Sequence, residues 1–401
     1  MPPHPLRSRT LVAYLASRFC SGAAMMMLRA GIGWHVFAIT GSAFHLGLVG
    51  LVQFLAGFAL VLVGGAVADT RDRRAIMMTA QSVAMTAAVV LLVATARGAV
   101  TLPLLYGLVV VVAAAAAFDN PARAALLPTL VPREVFPRAV TIAATTQALS
   151  FATGPALGGV LIAAAGIGSV YGAYAVLVFG SLVGLAFLGP RPPTGSTQRG
   201  VSLDAIREGL RFVRRQPVVL GCMTLDMLAV IFGGAAALLP VYAETILHVG
   251  PRGYGLLASS LELGALATSL ALIVLPTVRR AGPALLGAVA VYGCATIVFG
   301  LSRWFPLSVA AYMLVGVADQ VSVVMRSTAI QLSTPDEVRG RVSAVNFLFI
   351  GASNQLGAAE SGFVAALTSA PFAVVSGGLA CLVVLAVIAA RVPELRRYRI
   401  A

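Results

Sequence analysis

Long apolar runs separated by short polar breaks dominate the sequence. A helix that crosses a membrane needs about 20 apolar residues, and twelve runs reach that length. The runs cover residues 10–38, 45–69, 75–97, 101–122, 139–165, 170–189, 218–245, 253–277, 282–301, 305–325, 341–367 and 371–391. Charged residues make up 10% of the chain, far below the level of about 25% in soluble domains. The pattern predicts an all-α polytopic membrane protein with twelve transmembrane helices.

The arginines are distributed unevenly between the two sides of this predicted bundle. The chain has 28 basic residues, all of them Arg. With the N-terminus inside, 23 fall in inside segments and 3 in outside loops, while Arg18 and Arg29 lie within the first run. Cytoplasmic loops of membrane proteins are enriched in Arg and Lys. Both termini are therefore expected in the cytoplasm, with the chain crossing a bacterial-type cytoplasmic membrane many times. The scatter of the arginines over loops does not suggest a nucleic-acid partner.

The longest polar break divides the chain into two halves. Residues 1–189 are predicted to form an N-terminal six-helix half, 190–217 a cytoplasmic linker, and 218–401 a C-terminal six-helix half. The linker begins with three prolines and ends in an amphipathic segment with Leu203, Ile206, Leu210 and Val213 on its apolar face. Two interpretations stay open, a helix lying on the inner membrane surface and a solvated connector.

The two halves repeat each other at an offset of 203 residues. The matched pairs are Arg123 and Arg326, Pro132 and Pro335, Glu134 and Glu337, Arg138 and Arg341, Gly154 and Gly357, and Gly159 and Gly362. Many secondary transporters are built from repeated halves, with the substrate site near the middle of the membrane. The repeat indicates the same plan here.

Two motifs and two longer stretches carry a family resemblance. The loop after the second run contains Gly65, Asp69, Arg73 and Arg74, and resembles the loop 2–3 signature of the major facilitator superfamily. The fifth run contains Gly154, Pro155, Gly158 and Gly159, and resembles the end of that superfamily's antiporter motif. Phe118–Ala139 and Arg326–Asn346 are similar to its branch of drug and siderophore exporters, which includes enterobactin exporters and macrolide efflux pumps. Asp72 stands where the wider superfamily has Gly.

The resemblance implies the major facilitator fold, with two pseudo-symmetric six-helix halves and an inner gate. Asp69 is expected to cap the positive N-terminus of span 11, which begins near Gly340. Further gate pairs are predicted between Asp119 and Arg73 or Arg74, and between Asp319 and Arg279 or Arg280. Arg123 and Arg326 belong to the same inner segments. The alternative is that all these charges only fix the ends of the spans.

The glycines of the fifth run permit close helix approach. Packing is one interpretation, and a bend at Pro155 that seals the two halves is the other.

Ionisable residues inside the bilayer are costly and are functional candidates. Arg29, Asp226, Glu262 and Glu360 are the predicted proton-coupling residues, with one carboxylate exchanging a proton and Arg29 tuning it. A static ion pair between helices is the alternative. Arg18, in the inner third of the bilayer, is expected either to snorkel or to pair structurally, and His35 is expected to be a bystander near the outer surface.

In this superfamily, spans 1, 4, 7 and 10 line the cavity. The resemblance therefore nominates Met25, Met26, Met27, Trp34, Met223 and Met227 as cavity residues, with Gln53, Asn346, Asn354 and Gln355 as polar contacts. Met side chains adapt to varied ligands, but the same residues also serve as helix packing.

The leading functional hypothesis is proton-coupled export of an amphipathic or lipophilic small molecule, a drug or siderophore, by alternating access. An importer or a lipid or metabolite transporter of the same superfamily stays open. A membrane sensor or enzyme is the alternative from a different class, but the chain is not expected to be an enzyme, because none of its four His lies deep in a span beside a carboxylate. No catalytic residues, metal site or cofactor are expected. A Walker phosphate loop requires Lys and the chain has none, which excludes ATP-driven transport by this chain alone. The expected partners are the bilayer, a small-molecule substrate and protons, and the protein is expected to be a monomer.

Overall fold

The computed structural model describes residues 9–132, 135–190, 203–274 and 278–399, and all regular elements in these ranges are helices. Eleven of the helices are long and apolar enough to cross a membrane. The predicted eleventh span is a further helix of 32 residues, Asp336–Leu367, which contains Arg341 and Glu360. The structure thus confirms the all-α multi-pass fold.

The first six long helices follow one another through short connections. They are α1 (Arg9–Thr40), α2 (Ala43–Thr70), α3 (Arg73–Ala96), α4 (Leu102–Leu126), α5 (Phe136–Ala165) and α6 (Gly168–Ala186). A 3₁₀ turn, Leu127–Thr129, follows α4.

A linker helix, the second set of long helices and two short helices, α9 and α15, follow. They are α7 (Leu203–Arg215), α8 (Pro217–Gly233), α9 (Leu239–Val241), α10 (Gly250–Val274), α11 (Ala281–Leu301), α12 (Phe305–Leu332), α13 (Asp336–Leu367), α14 (Ala370–Arg391) and α15 (Pro393–Arg397). The seventh span, Pro217–Ile246, is interrupted, because Gly234 is extended with φ −76° and ψ 101°. After this break the span continues as a 3₁₀ turn, α9 and a π-helix, Tyr242–Ile246.

The chain forms two compact units. Unit 1 consists of Met1–Val36 and Leu55–Gly200, and unit 2 of Phe37–Phe54 and Val201–Ala401. The break at 200 falls within the predicted linker, residues 190–217. The end of α1 and the start of α2 group with unit 2.

Each unit has its own apolar core, and large apolar side chains also cover its surface. The core of unit 1 includes Tyr14, Met77 and Leu126, and that of unit 2 includes Val219, Met223 and Cys381. Exposed apolar side chains, such as Val176, Phe179, Phe187, Ile273 and Val383, suit a surface that faces lipid tails.

The linker helix α7 contradicts the solvated connector, whereas its place at the membrane surface stays a prediction. Val213 is fully buried and packs, with Leu210, into the core of unit 2. Glu208 binds Arg341 of α13, and a Cβ at Gly209 would lie 2.8 Å from the Arg341 carbonyl oxygen. The apolar face at Leu210 and Val213 therefore covers protein. This part of the face is not left in solvent, and the side chains of Leu203 and Ile206 lie outside the described part of the chain.

Helices α4 and α12 are longer than the apolar runs that predicted them. The runs end at 122 and 325, whereas the helices end at Leu126 and Leu332. The predicted boundaries fell before Arg123 and Arg326 because an arginine normally marks the end of a span. In the structure both arginines lie within helices and are buried.

Candidate functional site: two buried charge clusters

Arg123 on α4 and Arg326 on α12 hold corresponding places in the repeat. Their exposed fractions are 8% and 3%. A buried guanidinium is costly unless it is paired and hydrogen-bonded. Each of the two binds a carboxylate, but the carboxylate comes from a different position in each unit.

In unit 1, Arg123 binds Asp119, which lies one turn earlier on the same helix. Arg123 Nη2 lies 3.0 Å from Asp119 Oδ2, and Arg123 Nε donates to the same oxygen over 3.1 Å. Residues four apart share one face of a helix. Arg123 Nη1 is buried and has no hydrogen-bond partner in the described part of the chain.

A chain of hydrogen bonds extends from Asp119 to three other helices. Gln81 Nε2 donates to Asp119 Oδ1 over 2.8 Å, and Ser181 Oγ donates to Gln81 Oε1 over 2.8 Å. Ser17 Oγ lies 2.7 Å from Ser181 Oγ. The chain links α4 to α3, α6 and α1, so it fixes the position of the carboxylate.

Arg18 of α1 lies beside this pair and is held by neutral groups. Its Nε donates to the Ala143 carbonyl over 3.0 Å, and its Nη1 to the Tyr14 hydroxyl over 3.2 Å. Its Nη2 donates to Gln147 Oε1. The side chain is partly buried. These contacts satisfy the donors, but they supply no negative charge.

A cavity of about 130 Å³ lies between the helices that carry these residues. Its polar wall is formed by Arg18, Gln81, Asp119, Asn120, Arg123 and Gln147. Its apolar wall includes Met25, Phe151, Tyr174 and Val178. We call this space the unit 1 cavity.

In unit 2, Arg326 Nη1 donates to Asp226 Oδ2 of α8 in a buried ion pair. The repeat partner of Asp119 is Ser322, which is also buried, so the acid is supplied by a neighbouring helix. Asp319 of α12 lies within the electrostatic field of this pair and of Glu262 on α10. We call Asp226, Glu262, Asp319 and Arg326 the unit 2 cluster.

The predicted pairing of Asp119 with Arg73 or Arg74 is wrong for this conformation. Asp119 binds Arg123, while Arg73 Nη1 donates to the Ala125 carbonyl over 3.1 Å. Arg74 Nε donates to the Leu185 carbonyl over 2.8 Å. Both arginines thus bind carbonyls near the C-terminal ends of helices, where positive charge is favoured.

The predicted pairing of Asp319 with Arg279 or Arg280 is also not seen. Asp319 lies near the middle of α12, because this helix continues well past the predicted end of the run. Arg279 and Arg280 are exposed before α11, whereas Asp319 lies within α12, two turns before Arg326 on the same face of the helix.

The loop between α2 and α3 holds the predicted gate signature. The side chain of Asp69 lies outside the described part of the structure, so its role as a gate latch stays a prediction. Gly65 has open space around it. Asp72 caps α3 by accepting from the backbone N–H of Arg74 over 2.8 Å and of Ala75 over 3.3 Å, which explains an acid at this position.

The glycine motif of α5 packs against α1. A Cβ at Gly154 would lie 2.6 Å from the Ala23 carbonyl oxygen, and one at Gly158 would lie 3.2 Å from the Met27 side chain. Pro155 and Gly159 are buried within the same continuous helix. The repeat partner of Gly154, Gly357 on α13, approaches the Val230 carbonyl of α8 in the same way. These contacts support the packing interpretation.

The predicted coupling residues differ in their surroundings. Asp226 is buried in its ion pair, Glu262 is partly buried and Arg29 is exposed. Glu360 is partly buried, and its Oε2 atom is buried without a hydrogen-bond partner in the described ranges.

Most predicted cavity residues are partly buried, namely Met26, Trp34, Met227, Gln53 and Asn346. Met27 is an exception, because it is fully buried and packs against Gly158 of α5. Met223 is another exception, because it is 1% exposed and packs in the core of unit 2. Its place as a cavity residue is therefore corrected to a core position. Met25 does line the unit 1 cavity.

Sequence reasoning did not identify Gln81, Gln147 and Tyr14 as partners of the charged residues. A signal was available for Gln81 and Gln147, since long polar side chains inside apolar runs need partners. The predicted role of Arg18 as a structurally paired residue agrees with its hydrogen bonds.

Comparisons with known proteins extend over the whole chain. Residues 2–399 match the family described as transmembrane secretion effector, MFS_3. The enterobactin exporter EntS of Citrobacter koseri is 26% identical over 387 residues, which are 96% of this chain and 92% of that protein. EntS of Escherichia coli O1:K1 / APEC gives the same values.

Solved structures agree on the fold. A POT family transporter in complex with 5-aminolevulinic acid has a TM-score of 0.72 at 13% identity, with 97% of each chain covered. An inward-facing, occupied bacterial homologue of the human lysosomal transporter Spinster has a TM-score of 0.72 at 13% identity, with 100% of each chain covered. The resemblance in the motifs is thereby confirmed: the chain belongs to the transmembrane secretion effector family of major facilitator superfamily transporters.

Proposed function

We propose that this transporter exports an amphipathic small molecule of the siderophore class across the cytoplasmic membrane, in exchange for protons. The observation that carries the proposal is the similarity over 96% of the chain to proteins named as enterobactin exporters. A relationship of this extent includes both halves and the loops between them. We propose export rather than import because these relatives are named as exporters.

The buried charges support a transporter that uses protons. Ionisable residues within membrane spans are energetically costly, and they usually mark functional sites. A carboxylate that is paired in one state and released in another can exchange its arginine for a proton. Asp226 is the first candidate because it binds Arg326 away from water. Glu262 and Glu360 are the others, with Arg29 as a modulating charge.

The topology proposed for export follows the arginine distribution. Both termini and the arginine-rich segments lie in the cytoplasm, and the protein works as a monomer by alternating access. Substrate enters from the cytoplasm and leaves on the opposite side as protons return inward down their gradient.

Proton release from energised inside-out vesicles tests the proposal. Respiration acidifies the vesicle interior, so an exporter that exchanges substrate for protons reduces this gradient when substrate is added. Enterobactin is the first probe, followed by macrolides and lipophilic cations. We expect enterobactin to reduce the gradient only in vesicles that contain the protein. If no probe does so although the protein is inserted and folded, proton-coupled export of these classes is contradicted.

Carboxylate variants locate the coupling residue. Asp226→Asn, Glu262→Gln and Glu360→Gln each remove one acid inside the spans. Glu244→Gln is the matched control, because Glu244 is an exposed acid in the π-helix. At least one of the three variants should lose proton release while the control retains it. Normal proton release by all three variants would exclude them as the coupling group.

A further inference from the structure

We propose that the unit 1 cavity binds one anionic oxygen group, a carboxylate or a group of similar charge, and that Arg18 and Arg123 hold it. This proposal deepens the proposed export function, on which it rests, by assigning a charged part of the transported molecule to a place in unit 1.

The wall of the unit 1 cavity carries more positive than negative charge. Its wall carries two guanidinium groups, Arg18 and Arg123, and one carboxylate, Asp119. Arg123 already binds Asp119, whereas every contact of Arg18 within the described ranges is with a neutral group. One formal positive charge therefore stays uncompensated in a partly enclosed, low-dielectric space, where an anion would be strongly favoured.

Arg123 also has a hydrogen-bond donor that is not used. Arg123 is more than nine-tenths buried, and its Nη1 has no partner in the described ranges. A buried donor that lacks an acceptor costs free energy. Because Arg123 lines the cavity, an oxygen bound there can accept from it.

The size and the apolar wall define the ligand further. The volume of about 130 Å³ is close to that of an engineered cavity of about 150 Å³ that binds benzene. It therefore accepts a carboxylate with one aromatic ring, not a whole siderophore. Met25, Phe151 and Tyr174 supply an apolar surface for such a ring.

Unit 2 provides an internal comparison. Arg326, at the same repeat position, is paired with Asp226, and two further acids lie nearby. Because this arginine already binds a carboxylate of a second helix, it leaves no uncompensated positive charge for an anion. The positive excess is thus specific to unit 1 and does not follow from the repeated arginine.

Binding of benzoate to the full chain tests the site. The protein is placed in phosphatidylcholine nanodiscs with no ion gradient, and binding is measured by titration calorimetry. Benzamide is the neutral control of the same shape. We expect benzoate to bind and benzamide not to bind, with benzoate binding weakened by salt. Equal binding of both compounds, or of neither, would overturn the proposal.

Two variants and a control locate the binding. Arg18→Gln removes the uncompensated charge and should weaken benzoate binding at least about tenfold, as expected for a lost charge-assisted hydrogen bond. Ala84→Leu fills the cavity without changing its charge and should abolish binding, because Ala84 is a buried residue of its wall. Arg97→Gln removes an exposed arginine after α3 and should bind benzoate like the wild type. Unchanged binding by both cavity variants contradicts the site.

Nanodiscs that contain phosphatidylglycerol distinguish the source of the anion. If this lipid competes with benzoate, the site takes a lipid headgroup, and if it does not, the site takes a soluble anion. Both results require the anion site. Because these measurements use no gradient, benzoate binding without proton release would retain the site and reject coupled export. Proton release without benzoate binding would support coupled export and reject the anion site.

Discussion

Arg326 binds Asp226 of another helix, whereas Arg123, its counterpart in the repeat, binds Asp119 on its own helix. The repeat has therefore kept a buried arginine in both units while changing the source of its counter-ion. As a result, Asp226 ties α8 to α12, whereas Asp119 needs Gln81 to reach beyond α4. In unit 2 the ion pair itself therefore joins two helices, whereas in unit 1 a hydrogen bond to Gln81 makes that connection.

Breaking the buried pair in unit 2 should destabilise the protein strongly. Asp226→Ala leaves the Arg326 guanidinium buried without a carboxylate, which typically costs about 3–5 kcal/mol. The double variant Asp226→Leu with Arg326→Met removes both charges and should recover much of the loss. Thermal unfolding in detergent measures this. A double variant that is no more stable than the single one would contradict the account of the pair.

The glycine contact between α5 and α1 should not accept a methyl group. Gly154→Ala places a Cβ against the Ala23 carbonyl oxygen, so the helices must move apart and the melting temperature should fall. Gly107→Ala is the control, because Gly107 lies within α4 with open space around it and Ala favours a helix. Equal melting temperatures for the two variants would show that the contact is not tight.

The linker helix should detach when its buried side chain becomes polar. Val213→Ser puts a hydroxyl into the core of unit 2, which should raise hydrogen exchange along α7. Arg214→Ser, at an exposed neighbouring position, should leave exchange unchanged. If α7 exchanges equally in both variants, its docking does not depend on Val213.

Two neighbouring aspartates should respond differently to the same change. Asp69→Asn should abolish transport, because an uncharged side chain weakens the predicted latch at a helix N-terminus, while the protein still reaches the membrane. Asp72→Asn should retain transport, since Asn also caps helices well and Asp72 caps α3. Transport assays with both variants at equal expression decide this. Normal transport by Asp69→Asn would remove the latch from the account.

The helices were predictable because a bilayer demands long apolar segments, and these are visible in the sequence. The ends of α4 and α12 were not, because an apolar run cannot show that Arg123 and Arg326 continue the helix as buried, paired residues. Their partners depend on which helix faces which. That information lies in tertiary packing, such as the approach of α8 to α12 that brings Asp226 to Arg326.

The prediction of Met223 as a cavity residue failed for the same reason. An apolar residue on a cavity-forming helix faces either the cavity or the core, and a single sequence does not distinguish the two. The internal repeat predicted close helix packing better. Gly154 and Gly357, which are paired in the repeat, each lie against a backbone carbonyl of a neighbouring helix in their own unit.

Accumulation of radiolabelled enterobactin in inside-out vesicles tests proton-coupled export by this protein. Vesicles containing the protein should accumulate the compound when their interior is acidic, and accumulation should stop when an ionophore removes the proton gradient. Vesicles without the protein should show neither effect. Accumulation that is equal with and without the protein would contradict export of a siderophore, and accumulation that persists after the ionophore would contradict coupling to protons.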